Sequence, residues 1–287
     1  MRIHLVANPG REDAIAAAQE LCQRLASQGH ELAVEGDSAH LIPCPRLDVP
    51  ELGRADLMVS FGGDGTLIKA AEICSAHGTP ILGVTYGTFG FVTQCHPTQV
   101  EQAIEAFSRG ELEIEERMML QADLVRGGQA IASFHALNEV VVQRSATDRM
   151  MVFRVVVDGE KMTSYPADGV LLATPTGSTA YNLSAGGPIV DPSVNAFVMT
   201  ALAPHSLSSR SLVFRPEAVV ELNVVSRGDA VLTTDGRTRM HILMGDCVRV
   251  TRSARTTKLV RIDSRDFVRK LNALLFWSHS IWREKET

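Results

Sequence analysis

The sequence predicts an α/β domain followed by an all-β domain, and three observations carry that prediction. Over residues 1–111 apolar runs of strand length alternate with apolar residues at helical spacing. Over residues 112–263 short β-type runs are separated by turn dipeptides such as Asp158-Gly159 and Asp235-Gly236. Residues 264–287 return to helical spacing through Phe267, Leu271, Leu274 and Leu275. Alternation of strand and helix implies a parallel sheet with right-handed crossovers, whose ligands gather at the carboxyl ends of the strands.

In chain order, residues 3–7 read as a strand and Asn8-Pro9-Gly10 as a turn. Residues 12–28 read as a helix whose buried stripe is Ala14, Ala17, Ala18, Leu21 and Leu25, with Gly29 to end it. A short strand at 31–35 and a Pro-bearing loop at 41–50 come next. An apolar run at 57–61 leads through Gly62-Gly63-Asp64-Gly65-Thr66 into a helix carrying Leu67, Ala70, Ala71 and Cys74. Residues 80–85 are a second buried strand that enters a segment spaced by Gly83, Gly87 and Gly90, and Pro97 opens a helix to Ser108. Beyond residue 111, strands are expected at 118–125, 131–142, 151–157, 170–173, 218–225, 230–233, 247–251 and 259–262.

Composition narrows the classes of function. The chain has 287 residues, 45% hydrophobic and 21% charged, which suits two globular domains rather than disorder. A net charge of −5 offers no general attraction to nucleic acid or an anionic membrane, so neither is an expected partner. The five cysteines, Cys22, Cys44, Cys74, Cys95 and Cys247, are far apart and form no Cys-x-x-Cys pair, so reduced thiols in a cytoplasmic protein are expected. The start has no signal-peptide core, and no run approaches the ~18 apolar residues of a membrane span. Nine histidines show no His-x-x-x-His pair, and no protein-only metal site is expected.

Three stretches carry chemistry. In Gly62-Gly63-Asp64-Gly65-Thr66 the glycines let backbone approach an anion, and the following helix turns free N–H groups toward it. That is a phosphate cradle in outline, with Gly62, Gly63, Gly65 and Thr66 as its parts. Asp64 would repel phosphate, so it calls for a metal ion or a substrate hydroxyl whose proton it accepts; the alternative is a plain tight turn. In the run from Asp168 through Thr174-Pro175-Thr176-Gly177-Ser178-Thr179-Ala180-Tyr181 to Ser184, an apolar strand ends in hydroxyls and small residues. These can bind phosphate or ribose oxygens while Tyr181 offers a ring face to a base, or they can bond only to their own backbone. Ser178 lacks the Gly-x-Ser-x-Gly elbow of a nucleophile. Asn138-Glu139, interrupting an apolar strand, is either a solvent-facing bulge or a ligand contact.

Taken together these motifs resemble the NAD kinase family, in its order and spacing and over nearly the whole chain. The first alone is also found in diacylglycerol and sphingosine kinases and in phosphofructokinases; all three together are specific. The resemblance implies a Rossmann-like N-terminal domain, a C-terminal β domain whose final helix returns to the first, an active site between them and a homo-oligomer, dimer or tetramer. It implies transfer of the γ-phosphoryl group of ATP, with Mg²⁺ or another divalent cation bound to the phosphates, to the 2′-hydroxyl of the adenosine ribose of NAD. Asp64 would be the base with Gly65 beside it. Asn138 and Glu139 would hold ribose and amide groups, Asp168 the nicotinamide end, and Thr176, Thr179, Ala180, Tyr181 and Ser184 the dinucleotide, with Phe91 and Asp235 as further NAD contacts.

The chain also departs from the family. The Asn-x-Gly-x-Leu-Gly-Phe segment reads Thr85-Tyr86-Gly87-Thr88-Phe89-Gly90-Phe91, and Val92-Thr93-Gln94 follows where an acidic residue is usual. Thr85 keeps a hydroxyl and loses an amide. Two other readings compete with the kinase. A lipid kinase would need an apolar acyl pocket in place of the hydroxyl-rich loop, and a non-catalytic NAD(H) or NADP(H) sensor would have no use for Asp64.

Overall fold

The computed structural model describes residues 1–86, 90–93, 95–145, 150–206, 209–226, 228–262 and 266–274. Two compact units divide the chain: Met1–Glu116 with the chain from Lys258 onward, and Arg117–Thr257.

The first unit contains β1 (Arg2–Ala7), α1 (Glu12–Ser27), β2 (Glu31–Val34), α2 (Val49–Leu52), β3 (Leu57–Gly62), α3 (Asp64–Cys74), β4 (Ile81–Thr85) and α4 (Val100–Ser108). Its strands are parallel in the order β2-β1-β3-β4. Strand alternation sends Ile3, Leu5, Leu57, Val59 and Phe61 to one face, where Ala14, Ala18, Leu21 and Leu25 of α1 and Val100 and Ile104 of α4 close over them. Each fully buried Leu or Phe contributes about 1.5–3 kcal/mol relative to an exposed one. The other face carries the buried His4, whose ring bonds the Leu52 carbonyl of α2 at 2.7 Å. Parallel pairing puts the ends of β1, β3 and β4 on one edge, so Asn8, Gly63 and Tyr86 leave the sheet side by side: the Asn8 amide donates to Phe61 and that of Tyr86 to Gly62.

The second unit is built from two antiparallel arrangements. It begins within β5 (Ile114–Arg126) and continues through β6 (Gln129–Ala136), β7 (Glu139–Arg144), β8 (Met151–Val157), β9 (Glu160–Ala167), β10 (Gly169–Ala173), α5 (Tyr181–Ser184), β11 (Phe197–Leu202), β12 (Leu212–Phe214), β13 (Val220–Val224), β14 (Ala230–Thr234), β15 (Arg237–Ile242) and most of β16 (Cys247–Val260). One sheet runs β12-β11-β10-β7-β14-β15; the other pairs β16, β13, β8 and β9, with β5 and β6 attached. Val140, Val142, Val170 and Leu172 from the first meet Phe153, Val155, Val220 and Leu222 from the second in a single core. β10 reads as an unbroken apolar run because it is buried on both faces, with Leu171 and Ala173 in a further cluster under Ala185.

Several expectations are corrected. Residues 131–142 are not one strand: β6 ends at Ala136 and β7 starts at Glu139, because Asp235 takes the amides of residues 137–139 out of the ladder. Residues 247–251 and 259–262 are parts of one 14-residue strand, β16, whose end lies in the first unit with Leu259 opposite Ile81. β9, β11, β12 and β15 went unread; β9 and β15 are polar hairpin partners without alternation of their own. The boundary expected at residue 111 falls at 116. Cys22 and Cys44 are not free thiols but a disulfide, since α1 and the loop after β2 bring their Cα atoms to 7.0 Å across a separation of 22 residues. The remaining three cysteines are free. Of the helix expected in the tail, α6 (Asp266–Leu274) is described; the rest lies outside the described residues. Its Lys270 ammonium bonds the carbonyls of Phe91 and Thr93, so the helix does return to the first unit. Among the described residues no helix is long and apolar enough to cross a membrane.

Candidate functional site

At the end of β3 the chain turns through Gly63 directly into α3, whose first residue is Asp64. Among the described residues no atom beyond the chain neighbours and the helix's own backbone lies within 4 Å of where a Cβ on Gly63 or Gly65 would stand, so backbone there faces open space. A cleft of about 300 Å³ opens beside it, lined by Ala7, Asn8, Pro9, Gly63, Gly65, Thr66 and Lys69. An 11-residue helix presents its free N–H groups and partial positive charge there. Lys69, one turn along, adds an ammonium that is held by Glu35 at 3.0 Å and Asp37 at 2.6 Å. Burial pulls that ammonium's pKa down, but the hydrogen bonds it donates to Asp37 and Glu35 win and raise it, so it stays charged. Sequence reading named Gly62, Gly63, Gly65 and Thr66 and missed Lys69, although its place five residues after Asp64 puts it within reach of the same end of the helix.

Asp64 is gripped from the segment after β4. The amide of Phe91 donates to Oδ2 at 2.8 Å; those of Val92 and Thr93 donate to Oδ1 at 3.2 and 3.1 Å, and the Thr93 hydroxyl does so at 3.3 Å. A Cβ on Gly90 would stand 2.1 Å from Oδ1, so only glycine lets the segment come this close. The structure therefore brings Phe91 to Asp64, as a backbone donor. Thr93, absent from the sequence-based site, supplies two of the four bonds, at the place where the family pattern has its acid nearby.

The second unit assembles another set. Asn138 and Glu139 are 8% and 5% exposed, so the solvent-facing bulge considered for them is ruled out. Both carboxylate oxygens of Asp235 are used to hold their turn: Oδ2 accepts from the Leu137 amide at 2.8 Å, and Oδ1 accepts from Asn138 at 2.7 Å and Glu139 at 3.2 Å. Asp235 takes positive φ, +50°, to do so. Burial raises the Asp235 pKa, and those three amides pull against it. Burial, and then the charge of Asp235, push Glu139 up to about 8 against a backbone donor from Tyr181. Glu139 Oε2, Asn138 Oδ1 and Thr233 Oγ1 are buried without hydrogen-bond partners among the described residues, and Thr233 pairs with Val141, two residues along the same face from Glu139.

The hydroxyl loop packs on that turn. The Thr174 hydroxyl donates to the Leu137 carbonyl at 2.6 Å, and a Cβ on Gly177 would fall 2.1 Å from the Asn138 carbonyl oxygen. Ser178 bonds Pro175 and Val190, and the Thr179 hydroxyl bonds the Thr176 carbonyl, so much of the loop's polarity is spent on its own shape. Thr176 Oγ1 accepts from the buried Arg117 at 3.2 Å, a residue sequence reading did not single out. Ala180 bonds Gly177 through its amide, Tyr181 is 42% exposed, and Ser184 lies on the surface. Tyr181 and Asp168 share a cleft of about 400 Å³ with Arg144, Leu202, Val231 and Thr238, and Asp168 is paired with Arg144 at 2.7 Å.

Comparison with known proteins gives a consistent result. Two family models match: the ATP-NAD kinase N-terminal domain over residues 3–112 and the ATP-NAD kinase C-terminal domain over residues 137–262. An NAD kinase of Geotalea daltonii is 39% identical over 92% of this chain and 94% of its own. An NAD kinase of Desulforamulus reducens is 38% identical, with 92% and 93% covered. Among solved structures, a yeast NADH kinase complexed with NADH superposes over 100% of this chain and 90% of its own, with a TM-score of 0.91 and 26% identity. An NAD kinase from Archaeoglobus fulgidus in complex with ATP covers 95% and 98%, with a TM-score of 0.74 and 24% identity, a likeness of fold.

Proposed function

This chain belongs to the NAD kinase family, and from that premise we propose that it transfers the γ-phosphoryl group of ATP to the 2′-hydroxyl of the adenosine ribose of NAD, yielding NADP and ADP. The observation that carries the reading is Asp64 at the head of α3, its carboxylate fixed by four donors beside an open cleft lined by glycine backbone and Lys69. The ribose oxygen forms a bond to γ-phosphorus as the bond from γ-phosphorus to the β–γ bridging oxygen breaks. In phosphoryl transfer the attacking hydroxyl loses its proton late, so Asp64 has to orient that hydroxyl and accept the proton, without stripping it in advance. The backbone of Gly63, Gly65 and Thr66, with Lys69, holds the phosphates of the donor, where Mg²⁺ bound with ATP would offset part of the phosphate charge.

Gly65 lies beside the ribose, and Phe91 sets the position of Asp64. In the second unit Asn138 and Glu139 hold NAD with the polar atoms left without protein partners, and Asp235 orients their turn. Thr176, Thr179, Ala180, Tyr181 and Ser184 line the dinucleotide, and Asp168 takes its nicotinamide end. A cytoplasmic homo-oligomer, dimer or tetramer, completes the reading.

The test is NADP formation from NAD and MgATP by the purified protein beside Asp64→Asn, with NAD binding measured for both. Turnover by wild type, lost in a variant that still binds NAD, supports the reading. Binding of NAD without product from ATP, another triphosphate or polyphosphate would sink it in favour of a sensor.

A further inference from the structure

We propose that Lys270 of the last helix is a positioning residue for Asp64, acting through the peptide group between Phe91 and Val92. Lys270 is 6% exposed, and its ammonium donates to the carbonyls of Phe91 at 3.1 Å and Thr93 at 3.0 Å. A buried ammonium is costly, and an apolar side chain of the same length would pack there without that cost. What the charge adds is grip on main chain. The peptide whose carbonyl meets Lys270 at Phe91 offers its N–H, that of Val92, to Asp64 Oδ1. Thr93 is held at both of its flanking peptides, its carbonyl by Lys270 and its amide, with its hydroxyl, on Asp64.

A hydrogen bond at one end of a peptide polarises the group and strengthens the bond at the other. The cation therefore does two things: it pins the segment 91–93 from the side away from the carboxylate, and it sharpens the Val92 donor that faces it. Gly90 beside those amides has no side chain to hold them and is chosen for its close approach to Asp64. Without Lys270 the segment is free to drift, and a shift near 1 Å in a reacting group costs on the order of a hundredfold in rate. α6 thereby ties the far end of the chain to the catalytic carboxylate inside the first unit.

The inference rests on the kinase reading, and its test has an arm that does not. Lys270→Met keeps the length of the side chain and removes the charge. Expected are a kcat lower by about 10- to 100-fold, KM values for NAD and ATP within about threefold of wild type, and faster amide exchange at Val92 and Thr93. Lys270→Arg, which can still donate to both carbonyls, should recover most of kcat. In an Asp64→Asn background the loss of Lys270 should add little, since the two act as a unit. The proposal is overturned if Lys270→Met leaves kcat and the exchange at 92–93 unchanged, or if its effect multiplies fully with that of Asp64→Asn. Should Lys270→Met not fold, Lys270→Gln, which keeps one donor, takes its place under the same criteria. If wild type makes no NADP the kinase reading falls, while the exchange measurement still decides whether Lys270 holds the segment.

Discussion

Asp64 and Glu139 are both carboxylates at the junction between a strand and a bend, and their surroundings provide opposite things. Asp64, half-buried, receives three amides and a hydroxyl. Glu139, buried more deeply, receives one amide and has the charge of Asp235 as a neighbour. The lesson is that burial and the supply of donors act on an acid together. Where donors converge, as at Asp64 and again at Asp235, they orient both carboxylate oxygens, although at Asp235 burial outweighs its three amides and raises the pKa. Where they are withheld, as at Glu139, the group holds its proton into the neutral range and can offer it as a hydrogen-bond donor.

The largest expected effect breaks the comparison on the Asp64 side. Asp64→Asn keeps the shape and replaces one accepting oxygen by a donor that faces amide donors. The rate should fall by about 10²- to 10⁴-fold while NAD still binds. Steady-state rates with a separate NAD titration read this, and retention of more than a tenth of kcat would remove Asp64 from the role of base.

Next in size are two glycines that test the same contrast sterically. Gly90→Ala places a methyl 2.1 Å from Asp64 Oδ1, and Gly177→Ala places one 2.1 Å from the Asn138 carbonyl oxygen. The first displaces the Asp64 carboxylate from its donors, and the second needs backbone to move. The first should cut kcat by about a hundredfold with a modest change in KM for NAD. The second should act mainly on KM for NAD, since it displaces the turn that presents Asn138 and Glu139. Identical kcat and KM patterns for the two would mean that the regions do not divide the work as proposed.

A smaller effect sharpens the comparison through pH. The Glu139 pKa is raised from an ordinary 4.5 to about 8, so the folded state holds a proton that the unfolded state gives up. Its stabilising contribution is complete below about pH 4.5 and is lost as pH climbs toward and through 8. Urea unfolding of wild type and Glu139→Gln should therefore diverge between pH 5 and 8.5, with wild type losing on the order of a few kcal/mol relative to the variant. NAD affinity should follow, weakening several-fold above pH 8 in wild type and staying level in Glu139→Gln. Parallel curves would place the proton elsewhere.

How much of this was legible in the sequence follows from which interactions are local. The β3–Gly63–α3 turn was readable because strand, glycines and helix adjoin, and the hydroxyl loop was readable because its residues are consecutive. What holds each carboxylate was not. Phe91, Val92 and Thr93 reach Asp64 across 27 to 29 residues, Asp235 reaches Asn138 across 97, and Lys270 reaches Phe91 across 179. No periodicity records such pairings. Asn138-Glu139 looked like an exposed bulge for the same reason, because the residue that buries its amides lies in a distant hairpin. The Cys22–Cys44 bond escaped notice because spacing alone does not say that α1 and the loop after β2 touch.

The smallest expected effect concerns Lys69, where the two kinds of carboxylate environment meet a cation. Glu35 is buried and Asp37 is exposed, and both hold the ammonium at the mouth of the cleft. Asp37 lies at the surface, where a single ion pair is worth little. Lys69 can therefore trade part of that contact for a phosphate oxygen without losing Glu35, which keeps the stem aimed. Lys69→Met removes one phosphate contact and leaves the helix N-terminus and glycine backbone in place. KM for ATP should rise about three- to tenfold, with kcat and NAD binding nearly unchanged. Glu35→Gln loosens the aim without removing the charge and should give a smaller rise of the same kind. Were Lys69→Met to raise KM for NAD and not for ATP, the cleft beside Gly63 would belong to the dinucleotide and the assignment of the donor phosphates would have to move.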